Sequence, residues 1–105
     1  MPPGTGLPVP GGITYSAHVQ GVGWQGWRSD GTTAGLAGKG KRLEAIRIKL
    51  TGELAKKYDV RYRVHCQRVG WTKWARNGAV AGTTGRSLRA EAIEVRIVPK
   101  GTAVE

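Results

Sequence analysis

From Ile13 the chain alternates: Tyr15, Ala17 and Val19 fall on one face of an extended segment, and Ser16, His18 and Gln20 fall on the other. A period of two predicts a half-buried strand whose histidine and glutamine project away from the apolar side. The pattern returns with Tyr62, Val64 and Cys66 opposed to Arg63, His65 and Gln67. A further alternation runs through Arg42-Leu43-Glu44-Ala45-Ile46-Arg47-Ile48-Lys49-Leu50 and again through Arg89-Ala90-Glu91-Ala92-Ile93-Glu94-Val95-Arg96-Ile97. It predicts two more strands, with Ile46, Ile48 and Leu50 sharing a face. A short strand over residues 23–29 should close on the Asp30-Gly31 turn, and its counterpart on Asn77-Gly78, because both pairs tolerate positive φ. Small-residue loops follow, with glycines at matching places, which suggests backbone that a Cβ would block. Helical character is confined to Thr51 to Asp59, where Glu53-Leu54-Ala55-Lys56-Lys57 supports a turn or two.

These elements form a duplication. A shift of 47 positions aligns residues 13–50 with 60–97 without a gap, and 15 of the 38 pairs are identical. Each unit alone is too short to bury much surface, so the two should pack on one shared core. The expected fold is all-β: two tandem pseudo-symmetric repeats of short antiparallel strands, sandwich or prism-like, spanning 13–58 and 59–101 within one domain, 13–105. Residues 98–105 read as a strand end running into a frayed tail. Residues 1–12 hold four of the five prolines and four glycines, and read as an interdomain linker from a larger parent protein with a catalytic domain ahead of residue 1.

Composition sharpens this picture. Seventeen glycines and no phenylalanine suit a turn-rich β protein better than a helical bundle. There is no apolar run of membrane-spanning length and no secretory pattern at the N-terminus. The net charge of +10 favours an anionic partner: nucleic acid, an acidic lipid face or a cell-wall polymer. Cys66 stands where the first repeat has Val19 and so reads as a small buried apolar side chain, with no internal disulfide to form.

The candidate chemistry concentrates in His-x-Gln-x-x-Gly-Trp-x-x-Trp, present twice: His18, Gln20, Trp24 and Trp27, then His65, Gln67, Trp71 and Trp74. In a regular strand positions i and i+3 oppose each other, so one tryptophan of each pair is expected in the core and the other at a ligand unless a bulge intervenes. An exposed indole offers a flat apolar face and an N–H donor for a sugar ring or a base. One histidine per repeat, without a second ligand at metal spacing, is weak support for a metal, and no metal or cofactor is expected. Strict alternation sends Arg42, Glu44, Arg89 and Glu91 to the apolar face, where a carboxylate needs a partner. Glu44 and Glu91 are expected to latch an arginine or the glycine loop, or to accept hydrogen bonds from a sugar. Each repeat has one matched acid, where general acid–base work needs two carboxyls on one bond, so no catalytic residue is expected. Arg28, Lys41, Arg47, Arg61, Arg63, Arg68, Lys73 and Arg76 have no basic counterpart in the other repeat, and such charge reads as a general electrostatic surface.

With the Asp/Asn-Gly turn, Ala-Gly-x-x-Gly and Arg-x-Glu-Ala-Ile, each in order and twice, the sequence resembles the clostridial hydrophobic W repeat across nearly all of residues 13–101. The family occurs in secreted and surface proteins of Gram-positive bacteria and in their phages, often joined to cell-wall hydrolases. The resemblance implies a non-catalytic module acting outside the cell or at the wall. It would attach to cell-wall polysaccharide, peptidoglycan or a teichoic-type anionic polymer, and bring a peptidoglycan hydrolase, such as a phage endolysin, to its substrate. It supplies motif positions and no binding site. Such repeats often come in larger sets than two, which leaves a homo-oligomer open. The alternatives are a nucleic-acid-binding module and a surface protein-interaction repeat.

Overall fold

A computed structural model of the chain describes residues 10–36 and 38–103. The first repeat contributes β1 (Gly12–Val19), β2 (Gly23–Trp24), β3 (Arg28–Ser29) and β4 (Leu43–Thr51); a short helix, α1 (Gly52–Lys57), leads to the second. The second repeat contributes β5 (Tyr58–Cys66), β6 (Gly70–Trp71), β7 (Ala75–Arg76), β8 (Ala81–Gly82) and β9 (Ala90–Pro99). The fold is all-β and antiparallel, in two sheets.

Each repeat is built on one long hairpin-like pair. β1 runs against β4 from Gly12↔Thr51 to Val19↔Leu43, and β5 runs against β9 from Tyr58↔Pro99 to Cys66↔Ala90. The two-residue strands β2 and β3 line the other side of β1, as β6 and β7 line β5. Residues 25–27 carry no ladder, so the single strand expected over 23–29 is instead two short ones around a break. The Asp-Gly and Asn-Gly turns adopt the positive φ their residues tolerate: 45° and 90° at Asp30 and Gly31, 48° and 92° at Asn77 and Gly78. Asp30 Oδ1 accepts from the Ile13 N–H, and Asn77 Oδ1 accepts from the Val60 N–H.

The alternation noted at β5 becomes the core. Val60, Tyr62, Val64 and Cys66 are fully or almost fully buried, and they pack with Ile48, Leu50, Ala81 and Leu54 of α1 in one cluster drawn from both repeats. Cys66 thus fills an apolar site, and burial pushes its thiol pKa up. Tyr62 spans the core and donates its hydroxyl to the Ala79 carbonyl.

One strand crosses between repeats. β8 belongs to the second repeat by sequence, yet it pairs with β4 of the first, Ala45↔Gly82 and Ile46↔Ala81. Gly82 has φ +112°, and a Cβ there would lie 2.5 Å from the Glu44 carbonyl oxygen, so only glycine lets the two backbones approach this closely.

The ends of the domain differ from expectation. Most of the anticipated linker, residues 1–9, lies outside the described residues. Gly12 already opens β1, and the Leu54 N–H donates to the Pro10 carbonyl. The tail expected to fray is tied down through residue 103. Buried Arg61 donates to the Thr102 and Ala103 carbonyls, and Lys100 Nζ lies 2.8 Å from Asp59 Oδ1. Residues 104 and 105 lie outside the described residues.

Candidate functional site: an indole and cation ladder on each repeat

His18 pairs across the sheet with Trp24, and its ring meets the indole edge-on at 5.2 Å between centroids. His65 and Trp71 repeat this at 5.3 Å. Each histidine also turns Nδ1 to a carboxylate: His18 to Glu44 Oε1 and His65 to Glu91 Oε1, both at 3.1 Å. Nδ1 is thereby oriented by the acid, and Nε2 is the nitrogen that the carboxylate leaves unengaged.

A bulge in the long strands places these carboxylates. The register runs His18↔Ala45 and then Val19↔Leu43, so Glu44 is the extra residue. Glu91 is the extra residue between His65↔Ala92 and Cys66↔Ala90. The bulge breaks the alternation that would have sent both acids to the apolar face. Their partner is therefore histidine, not the arginine or glycine loop expected. The two sites differ in shelter: the side chains of Glu44 and His18 are 5% and 16% exposed, those of Glu91 and His65 43% and 38%.

The tryptophans also depart from expectation, because neither member of either pair enters the core. The break at residues 25–27, and its counterpart at 72–74, returns the second indole of each pair to the surface occupied by the first. Trp27 and Trp71 are exposed, Trp24 and Trp74 half-buried.

Cations lie over these rings in one order. The Arg47 guanidinium is 4.1 Å from the Trp24 ring centre and 4.9 Å from that of Trp27, and Lys49 Nζ is 4.6 Å from Trp27. In the second repeat Arg63 lies 4.7 Å from both Trp71 and Trp74, with Arg96 5.1 Å from Trp74. Each repeat therefore presents indole, guanidinium, indole and a second cation in series. Lys49 and Arg96 align in the duplication, but Arg47 and Arg63 do not: Arg47 stands on β4 opposite Ser16, and Arg63 on β5 opposite Glu94. The same guanidinium site is filled from opposite strands of one cross-strand pair. Arg63 Nε holds Glu94 Oε1 at 2.5 Å, while Arg47 Nη2 lies 3.4 Å from Ser16 Oγ.

By sequence alone Arg47 and Arg63 read as diffuse surface charge. The signal was present in the cross-strand pairs, Ser with Arg in one repeat and Arg with Glu in the other, and was invisible to a position-by-position comparison. Gln20 and Gln67 sit in the turns after β1 and β5, beyond the bulge, where their N–H groups donate to the Arg42 and Arg89 carbonyls. Both residues are half-buried. The Arg42 side chain leaves the site and donates to the Ser87 carbonyl of the other repeat, and Arg89 is exposed.

Chemically, each ladder is a flat, cationic, aromatic strip. An indole face covered by a guanidinium cannot also stack on a ligand through that face. What remains is the exposed ring surface of Trp27 and Trp71 together with positive charge, a combination suited to sugar rings and anionic oxygens. Among the described residues, no three His, Cys, Asp or Glu side chains gather as a metal-holding group. No described helix is long and apolar enough to cross a membrane.

No curated protein matches the chain. Nor does any solved structure. A family model does match, twice, over residues 18–52 and 65–99, which take in both histidine–carboxylate pairs and all four tryptophans. That family is a repeat module rather than a catalytic domain, and its repeats are found in surface and cell-wall-associated proteins. The chain belongs to the clostridial hydrophobic W family and carries two tandem repeats of it.

Proposed function

We propose that this chain is a non-catalytic binding module that holds anionic cell-wall polysaccharide of Gram-positive bacteria and so brings an attached peptidoglycan hydrolase, of the phage-endolysin type, to its substrate. The observation that carries the reading is the ladder itself. Alternating indoles and cations are built on both repeats, by different strands, to the same geometry. A surface feature reached by two routes is hard to attribute to packing, since none of its tryptophans serves the core. Its chemistry favours a polymer that alternates sugar with phosphate or carboxylate: sugar rings for the exposed surface of Trp27 and Trp71, anions for Arg47, Lys49, Arg63 and Arg96. Two such strips on one chain give avidity on a repeating polymer.

The test is retention of the labelled chain on purified Gram-positive walls, before and after teichoic acid removal. Retention that falls with teichoic acid removal, with added salt and with Trp27→Ala or Trp71→Ala supports the reading. A chain that ignores the walls, or that binds single-stranded DNA and is not displaced by wall polysaccharide, overturns it in favour of a protein-interaction or nucleic-acid role.

A further inference from the structure

The two repeats join through a contact whose halves differ. One half is β4, with its outer edge and the Ile48 and Leu50 side chains; the other is β8 with the face of β5. Gly78 N–H donates to the Ile48 carbonyl at 2.7 Å, and Thr83 N–H donates to the Glu44 carbonyl at 3.1 Å. The join seals Ile48 to 4% and Leu50 to 7% exposure.

The strand edges of each half occur a second time without a strand partner among the described residues, although the β1 face that corresponds to β5 is covered within the chain, with Ala17 and Val19 1% and 0% exposed. The counterpart of β4 is β9, and among the described residues no strand pairs with its outer side. Its Ile93, Val95 and Ile97, which align with Ile46, Ile48 and Leu50, are 47%, 45% and 38% exposed. An apolar cleft of about 270 Å³ opens at the Ile93 end of β9, lined also by Leu43, Ile46 and Val64. The counterpart of β8 is Ala34–Gly35, which has no strand partner among the described residues. Gly35 holds φ +109°, close to the +112° of Gly82, yet a Cβ on Gly35 would meet nothing nearer than Leu43 Cδ2 at 3.5 Å. The first repeat thus keeps the backbone conformation of a docking strand without the strand it would dock on.

We propose that copies of this chain associate head to tail: Ala34–Gly35 of one copy pairs with the free edge of β9 in the next, beside the exposed Ile93, Val95 and Ile97, as β8 pairs with β4. Both halves of the contact are present in every chain, and an exposed edge strand with an apolar face is a template for just such an addition. The contact is heterologous, so it closes into a ring or continues as a series. It also completes the second site. Within the chain, β8 pairs with β4 next to Glu44, and the His18–Glu44 pair is sheltered; no strand pairs with the outer side of β9 next to Glu91 among the described residues, and the His65–Glu91 pair is more exposed, so an incoming strand would add cover there. The inference is independent of which ligand the ladders hold.

The test is sedimentation velocity of the full chain from low micromolar to millimolar concentration, with far-UV circular dichroism to verify folding. The wild type is expected to gain at least twice its monomer mass as concentration rises. Val95→Lys spoils the β9 half, with Ile93→Lys as a second variant there, and Ala34→Glu spoils the other half. Each folded variant should remain monomeric alone. An equimolar mixture of Val95→Lys and Ala34→Glu should form one-to-one pairs and nothing larger, because each retains the half the other lacks. A wild type that stays monomeric throughout, variants that assemble as it does, or a mixture that fails to pair while the wild type assembles would each overturn the proposal.

Discussion

Arg47 on β4 and Arg63 on β5 hold the same place between paired indoles, although the duplication does not align them. Their true counterparts are Glu94 and Ser16, so the arginine has changed strands within one cross-strand pair while the ladder has stayed in place. This exchange makes the ladder open to a direct test.

Arg47→Glu should weaken wall retention several-fold and leave stability within about 1 kcal/mol, since the guanidinium is not in the core. Adding Ser16→Arg to that variant rebuilds the first repeat in the manner of the second. The double variant should recover most of the binding in the same wall pull-down. Failure of Ser16→Arg to rescue would show that the position of the guanidinium is not what matters.

The histidine–carboxylate pairs should differ in energetic weight. Glu44→Ala removes a partner from a sheltered pair and should cost about 2 kcal/mol in urea denaturation, whereas Glu91→Ala, at an exposed pair, should cost less than about 1 kcal/mol. The measurement belongs at low protein concentration, where each chain stands alone. Equal costs would contradict the difference in burial.

Acid should act through Asp59. The Lys100 ammonium and the Asn77 amide, with a lesser part from the Gly101 N–H, hold its carboxyl down to about 2 from 3.8, against the opposing effect of burial. A lowered folded-state pKa stabilises the fold fully above about pH 4, and that gain is lost as pH falls towards 2. The contribution is about 2 kcal/mol. Asp59→Asn should be less stable at pH 6 and show a flatter fall between pH 4 and 2, read from chemical denaturation at each pH.

Cys66 should be inert in the folded chain. Its thiol is fully buried and its pKa is raised, so a thiol-specific aromatic disulfide reagent at pH 8 should react only as the protein unfolds. Cys66→Val restores the side chain found at Val19 and should cost less than about 1.5 kcal/mol.

Much of the fold was legible because apolar periodicity and turn chemistry are local. The long strands, the Asp30-Gly31 and Asn77-Gly78 turns, the short helix and the shared core all follow from residues close in sequence or from the duplication. What escaped was non-local. The Glu44 and Glu91 bulges break the period of two without any glycine or proline to mark them, so strict alternation sends both acids to the wrong face. The breaks at residues 25–27 and 72–74 bring both indoles of each pair to the surface, where strict alternation sends one inward. The guanidinium site could be recognised only once the pairing of β1 with β4 and of β5 with β9 was known.

The crossing of β8 onto β4 bears on how the molecule comes apart. A segment that belongs by descent to one unit and by hydrogen bonding to the other acts as a stitch: neither half can melt without pulling a strand from its neighbour. The duplicated chain should therefore denature in a single cooperative step, and a fragment ending at residue 58 should be unable to hold its own shape.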